Sequence, residues 1–232
     1  GISSDLADRF ATLGFPAAEP LATSIGRVST EGGVVAPANA VAVYEALIDA
    51  ANDDMMGAFN VFPLADVVVI GGPTGGFYIR PSLDGSRPGA FYASTVTGVP
   101  MFTMPTLTYH EALPGQHYQI ALAMEQDVPL FRKVVGATSY IDGWGLYAER
   151  VASDLGWYSG DIYGDVGRLH FEALRAARLV IDTGIHAFGW TFDEATSFGV
   201  ENVGSTFGGA QGAAARYSVW PGQATAYYVG LL

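Results

Sequence analysis

The feature that most constrains this chain is a change of hydrophobic grammar along its length. Between Phe59 and Thr97, short β-branched and aromatic runs ("ADVVVI", "GFYIR", "GAFYASTVT") alternate with the turn clusters "GGPTGG" and "LDGSRPG", the pattern of a small antiparallel sheet. Before and after it the spacing is helical. In "NAVAVYEALIDAAND", Val41, Tyr44, Leu47, Ile48 and Ala51 fall on one helical face behind Asn39 as a cap, which predicts a helix over about 40–51. After Pro105 come four more helical stretches; the third is expected to end on Gly184 and the fourth to start with Thr191 and Glu194 in capping-box spacing. The chain therefore reads as a predominantly helical α+β protein with one early sheet. It divides into a helical lead-in (1–58), a small sheet (59–104) and a helical region (105–232) within one domain. "STFGGAQGAAARYS" reads as a mobile loop.

The totals exclude several function classes. With 23 acidic against 11 basic residues, only one of them lysine, the net charge is −12, which repels phosphate backbones and argues against a nucleic-acid partner. The absence of cysteine removes disulfides, thiolate metal sites and a cysteine nucleophile together. No apolar run approaches the roughly 20 residues that a membrane-spanning helix requires. The chain opens on Gly1 and stops at "AYYVGLL", which fits a processed or trimmed polypeptide.

Chemistry concentrates in "TYHEALPGQHYQ", Thr108 to Gln119. His110 and Glu111 open it like a zinc-protease helix, but Pro114 stands where the second histidine of an HExxH pattern belongs, and the next histidine is His117. On an unbroken helix, residues seven apart are separated by about 10 Å along the axis, too far to share an ion bound at about 2 Å. Pro114 and Gly115 allow a bulge that would return His117 towards His110. The competing reading makes Thr108 and Glu111 a capping box at an ordinary helix start.

A second segment, "YIDGWGLYAER", sets Asp142 and Glu149 on one helical face with Gly145 between them, so that a partner can approach closely. That suits a carboxylate ligand and an orienting carboxylate behind it, or a solvated acidic face. Arg175, Arg178 and Asp182 recur at helical intervals, as a salt-bridge lattice would. His186 is expected in a turn after Gly184, within reach of a cleft. Arg216, Tyr217, Tyr227 and Tyr228 are candidate donors to an oxyanion or a substrate carboxylate, or core aromatics. The two glycine clusters lack P-loop and dinucleotide patterns and read as loops.

Five segments in order, "GSRPGAFYAST", "TYHEALPGQHYQ", "YIDGWGLYAERVASDLGW", "RAARLVIDTGIHAFGWT" and "RYSVWPGQATAYYVG", resemble the bacterial family known as domain of unknown function 885. That family is itself similar to gluzincin metallopeptidases such as the Taq-type helical carboxypeptidases. Its usual forms, HEAxPGHH and EGWxLYAE, align the HE pair with His110 and Glu111 and the paired histidines with Gln116 and His117. They align the two glutamates with Asp142 and Glu149. The resemblance implies a central piece of a longer protein and a zinc-dependent peptide hydrolase. In that expectation His110, His117 and Asp142 hold Zn2+, Glu149 stands behind them, Glu111 is the general base, and Tyr227 or His186 meets the oxyanion. Arg216 contacts the peptide substrate, and an edge strand near "GAFYAST" aligns it. The alternative is a non-catalytic peptide-binding or scaffold protein whose metal site is degraded at Gln116 and Asp142.

Overall fold

A computed structural model describes residues 1–232. The helices are α1 (Ile2–Thr12), α2 (Leu21–Glu31), α3 (Ala40–Met55), α4 (Met104–Glu111), α5 (Gln116–Glu125), α6 (Leu130–Val134), α7 (Thr138–Asp154), α8 (Ile162–Phe188), α9 (Phe192–Val203), α10 (Phe207–Val219) and α11 (Ala226–Leu231). The strands are β1 (Val34–Val35), β2 (Val67–Gly72), β3 (Phe77–Ile79), β4 (Gly89–Ser94) and β5 (Val99–Pro100). This is the predominantly helical α+β class, with its small sheet in the N-terminal half.

Helix α3 forms because Ala40, Tyr44, Ile48, Ala51 and Met55 recur at three- and four-residue spacing and are all buried. That stripe lies on the sheet, where Tyr44 meets Phe91 of β4 edge to face with ring centroids 4.9 Å apart. Burying two such rings contributes about 1.5–3 kcal/mol each. Three strands pair in the order β2-β4-β3. β3 runs antiparallel to β4, as β1 does to β5, whereas β2 and β4 run parallel. The "GAFYAS" segment is therefore the central strand, not an edge: both of its sides are taken, and the edges are β2 and β3.

The 27-residue α8 is the spine of the helical half. Asp161 caps it by accepting from the Gly164 N–H, and it stops at Gly189, which adopts the left-handed conformation (φ 72°) open to a residue without a Cβ. Gly184 is thus inside the helix rather than at its end, and Trp190 packs on the surface where a Cβ would stand. His186 lies on the last turn, exposed, with Nε2 bonded to the Tyr217 carbonyl at 2.9 Å. The capping box of Thr191 and Glu194 is present at α9. The segment expected to be a mobile loop is α10, whose Ala210 packs against Gly199 of α9. Near the end of the chain α11 crosses α7 at a pair of glycines, where a Cβ on Gly143 would lie 2.5 Å from the Gly230 Cα. No helix is long and apolar enough to cross a membrane.

Candidate functional site

Every residue from Thr108 to Gln119 is buried. Thr108 lies inside α4, its hydroxyl bonded to the Met104 carbonyl at 2.9 Å, so the capping-box reading does not hold and His110 and Glu111 sit on the last turn of the helix. The chain leaves helical geometry at Ala112 (φ −106°, ψ −99°), passes the cis Leu113–Pro114 peptide, and re-enters at Gln116 after Gly115 (φ −82°, ψ −133°). Gly115 packs against the carbonyls of Tyr109 and His110, so closely that a Cβ would collide with both. From the facing helix, the Trp144 indole N–H donates to the Pro114 carbonyl at 2.9 Å and pins the turn.

This turn returns Gln116, rather than His117, to His110. The Gln116 Nε2 is 3.3 Å from His110 Nε2 and donates to Asp142 Oδ1 at 2.9 Å. His110 lies flat on α7 over Gly145, where a Cβ would come within 2.6 Å of the ring. That contact is the reason for a glycine midway between Asp142 and Glu149. The His110 Nδ1 contacts Glu149 Oε1 at 2.7 Å, and the carboxylate also accepts from the Thr106 hydroxyl at 3.0 Å and faces Arg175 Nη2 at 3.6 Å. Because a carboxylate only accepts, Nδ1 carries the proton, and Nε2 presents its lone pair to the Gln116 amide.

His117 points the other way. Its Nε2 donates to the Ala65 carbonyl at 3.0 Å, its Nδ1 meets the Tyr78 hydroxyl at 2.8 Å, and the ring lines a separate cavity beside Asp49 and Asp66. Burial pushes its pKa down to about 4. Both of its ring nitrogens are engaged away from His110, so the expected ligand set of His110, His117 and Asp142 is not brought together.

A cavity of about 560 Å³ is lined by His110, Glu111, Gln116 and Asp142 together with Arg175, Arg178, Arg216 and Tyr227. Glu111 is 5% exposed, its Oε2 has no partner, and burial pushes its carboxyl up to about 7, against the pull of His110. Burial also raises the Asp142 carboxyl, while His110, Arg175 and Arg178 hold it down. Arg175 is equally buried and its Nε has no acceptor; burial lowers its pKa, with Glu149 opposing. Tyr227 packs its ring 6.0 Å from that of His110.

The expected salt-bridge lattice on α8 does not form. Arg178 donates from Nε to the Tyr217 hydroxyl at 3.1 Å, and Asp182 accepts from the Gly222 N–H at 3.1 Å. His186 is not among the residues lining the cleft. Sequence reasoning passed over Arg175 and Arg178 as cleft residues and Tyr78 altogether. The available signal was a set of arginines on one helical face in a chain with few cations.

These residues do not fit a zinc ion held by two imidazoles and a carboxylate. The one available imidazole lone pair, on His110, and the Asp142 oxygen are both directed at the Gln116 amide, and the second imidazole faces another cavity. No three His, Asp or Glu side chains are grouped so as to hold a metal ion.

No curated protein matches the chain. Among solved structures it is similar to the "putative lipoprotein" of Colwellia psychrerythraea, with 33% identity and a TM-score of 0.93, over 99% of this chain and 42% of that one. It also shares its fold with the "putative lipoprotein of unknown function" of Shewanella oneidensis, at 18% identity and a TM-score of 0.81, over 100% of this chain and 45% of that one. The chain thus spans less than half the length of either. The family model described as "Bacterial protein of unknown function (DUF885)" matches residues 5–232. With nearly the whole length matched and the same fold recurring in a relative one-third identical, this chain belongs to the bacterial DUF885 family.

Proposed function

We propose that this chain is a peptide-binding domain that does not hydrolyse its ligand, built around a metallopeptidase-like cleft in which a glutamine amide takes the place of a cation. The observation that carries this reading is Gln116, whose amide N–H groups answer the His110 lone pair and Asp142 together. A neutral donor there satisfies the two groups that a divalent ion would otherwise bridge. The arginines that line the same cavity suit the carboxylate of a peptide.

A second reading, hydrolysis with Glu111 as general base, is favoured by one observation: a buried carboxylate without a partner that titrates at about 7 is matched to taking a proton from water near neutrality. Elemental analysis after zinc loading and dialysis, with a turnover assay on a peptide mixture, separates the two. The binding reading expects no retained zinc, no turnover, and heat of binding with peptides. One zinc per chain with turnover that Glu111→Gln abolishes would overturn it. Gln116→His directs an imidazole at His110 and Asp142 and is expected to gain roughly one zinc per chain.

A further inference from the structure

Two buried polar groups line the same cavity without partners, and they are of opposite kinds. Glu111 Oε2 is an acceptor lacking a donor, and Arg175 Nε is a donor lacking an acceptor. Leaving such groups unpaired costs about 1–3 kcal/mol each, more when they are charged. The imbalance continues along the walls. Arg178 and Arg216 have no carboxylate within ion-pair distance: Arg178 donates to the Tyr217 hydroxyl and lies 4.8 Å from the centre of the Tyr227 ring, while Arg216 donates to the Gln223 side chain at 3.1 Å. In a chain with 23 acidic residues and 11 basic ones, two guanidiniums in one cleft without a carboxylate partner, one exposed and one half-buried, are free to receive an anion from outside.

We infer that the cleft takes a dipeptide with both ends free, its ammonium group at Glu111 and its carboxylate at Arg178 and Arg216. This rests on the peptide-binding reading and adds to it the length and charge of the ligand. The arginines alone would accept any anion, but Glu111 and Asp142 line the same cavity. A phosphate dianion would be repelled there, whereas a zwitterion matches both sides. The volume, about 560 Å³, is of the size that small-molecule sites have. Phe77, Leu107, Leu174 and Trp220, which also line it, provide apolar surface for side chains. An arginine fork recognises a carboxylate by two parallel hydrogen bonds, which an amide cap cannot accept in the same way.

Titration calorimetry with Ala-Phe, its N-acetyl form and its C-terminal amide, on the wild type and on Arg178→Gln, Arg216→Gln and Glu111→Gln, tests the inference, with circular dichroism to verify folding. On the wild type each cap should weaken binding by about tenfold or more, since each removes a charge-assisted contact. Arg178→Gln or Arg216→Gln should bind the free and amidated forms nearly alike, and Glu111→Gln the free and acetylated forms. If the capped forms bind the wild type as well as the free dipeptide, or only longer peptides bind, the zwitterion inference fails and peptide binding stands. If no peptide of any form binds, peptide binding fails as well.

Discussion

His110 and His117 lie seven residues apart in one motif, and the molecule treats them in opposite ways. His110 is set among charges, with Glu149 behind it, Glu111 beside it, and Asp142 reached through the Gln116 amide, and it faces the cleft. His117 is set among neutral partners, a tyrosine hydroxyl and a backbone carbonyl, and faces a different cavity. Two imidazoles of equal burial thus have different roles: one belongs to a polar cluster open to a ligand, the other fastens α5 to the sheet. The difference is set by the four residues Ala112–Gly115, whose non-helical path decides which side of α5 faces His110.

The largest expected effect breaks this contrast from the charged side. Glu149→Ala would leave Arg175 and the His110 N–H buried without their acceptor, and is expected to cost about 3–5 kcal/mol of folding stability, read by urea denaturation. A cost no greater than that of changing the His117 surroundings would remove the contrast.

The dependence of stability on pH sharpens it. The Glu111 carboxyl, ordinarily near 4.5, is pushed up to about 7 by burial. Between those values the unfolded chain releases the proton while the folded chain keeps it, so this group lowers stability as pH rises through that window and holds it lower above it. His117, ordinarily near 6.5, is pushed down to about 4. Its unfolded form takes up a proton that the folded form refuses, so this group lowers stability as pH falls from 6.5 towards 4. The two oppose each other where their windows overlap. Glu111→Gln should make stability rise more steeply with pH across the overlap. His117→Phe should flatten the rise, leaving His170, pushed down to about 4 in the same way, to act against Glu111. Denaturation midpoints of the two variants that keep the wild-type slope would show that neither group titrates as burial dictates.

The smallest effect is on the neutral side. Tyr78→Phe removes one hydrogen bond to His117 and should cost about 1 kcal/mol, measured by the same denaturation, while the ring that also lines the cleft stays in place. A loss of peptide binding would mean that the Tyr78 hydroxyl serves the cleft as well as His117.

How much of this was legible in the sequence follows from where the chain is regular. Asp142, Gly145 and Glu149 lie on an unbroken helix, so their common face could be counted off, as could the α3 stripe and the capping box at Thr191. Gln116 and His117 follow a turn whose dihedrals no spacing rule supplies, and one step along α5 rotates a side chain by about 100°, enough to exchange the cleft for the other cavity. Helix α10 was missed because its glycines read as loop residues on local propensity. In the fold, small residues let it lie close against α9, and packing overrides that preference. Arg175 and Arg178 were assigned to Asp182 on the same helix because a helical interval shows which side chains share a face, not what the next helix brings to meet them.

The glycine crossing of α7 and α11 reaches further than its size suggests. Where Gly143 meets Gly230 the two backbones are clasped with nothing between them, and the same short helix carries Tyr227 to its place beside the His110 ring. A methyl group at either position would wedge the clasp apart, so two residues with no side chain hold in register the helix that brings Tyr227 to the cleft.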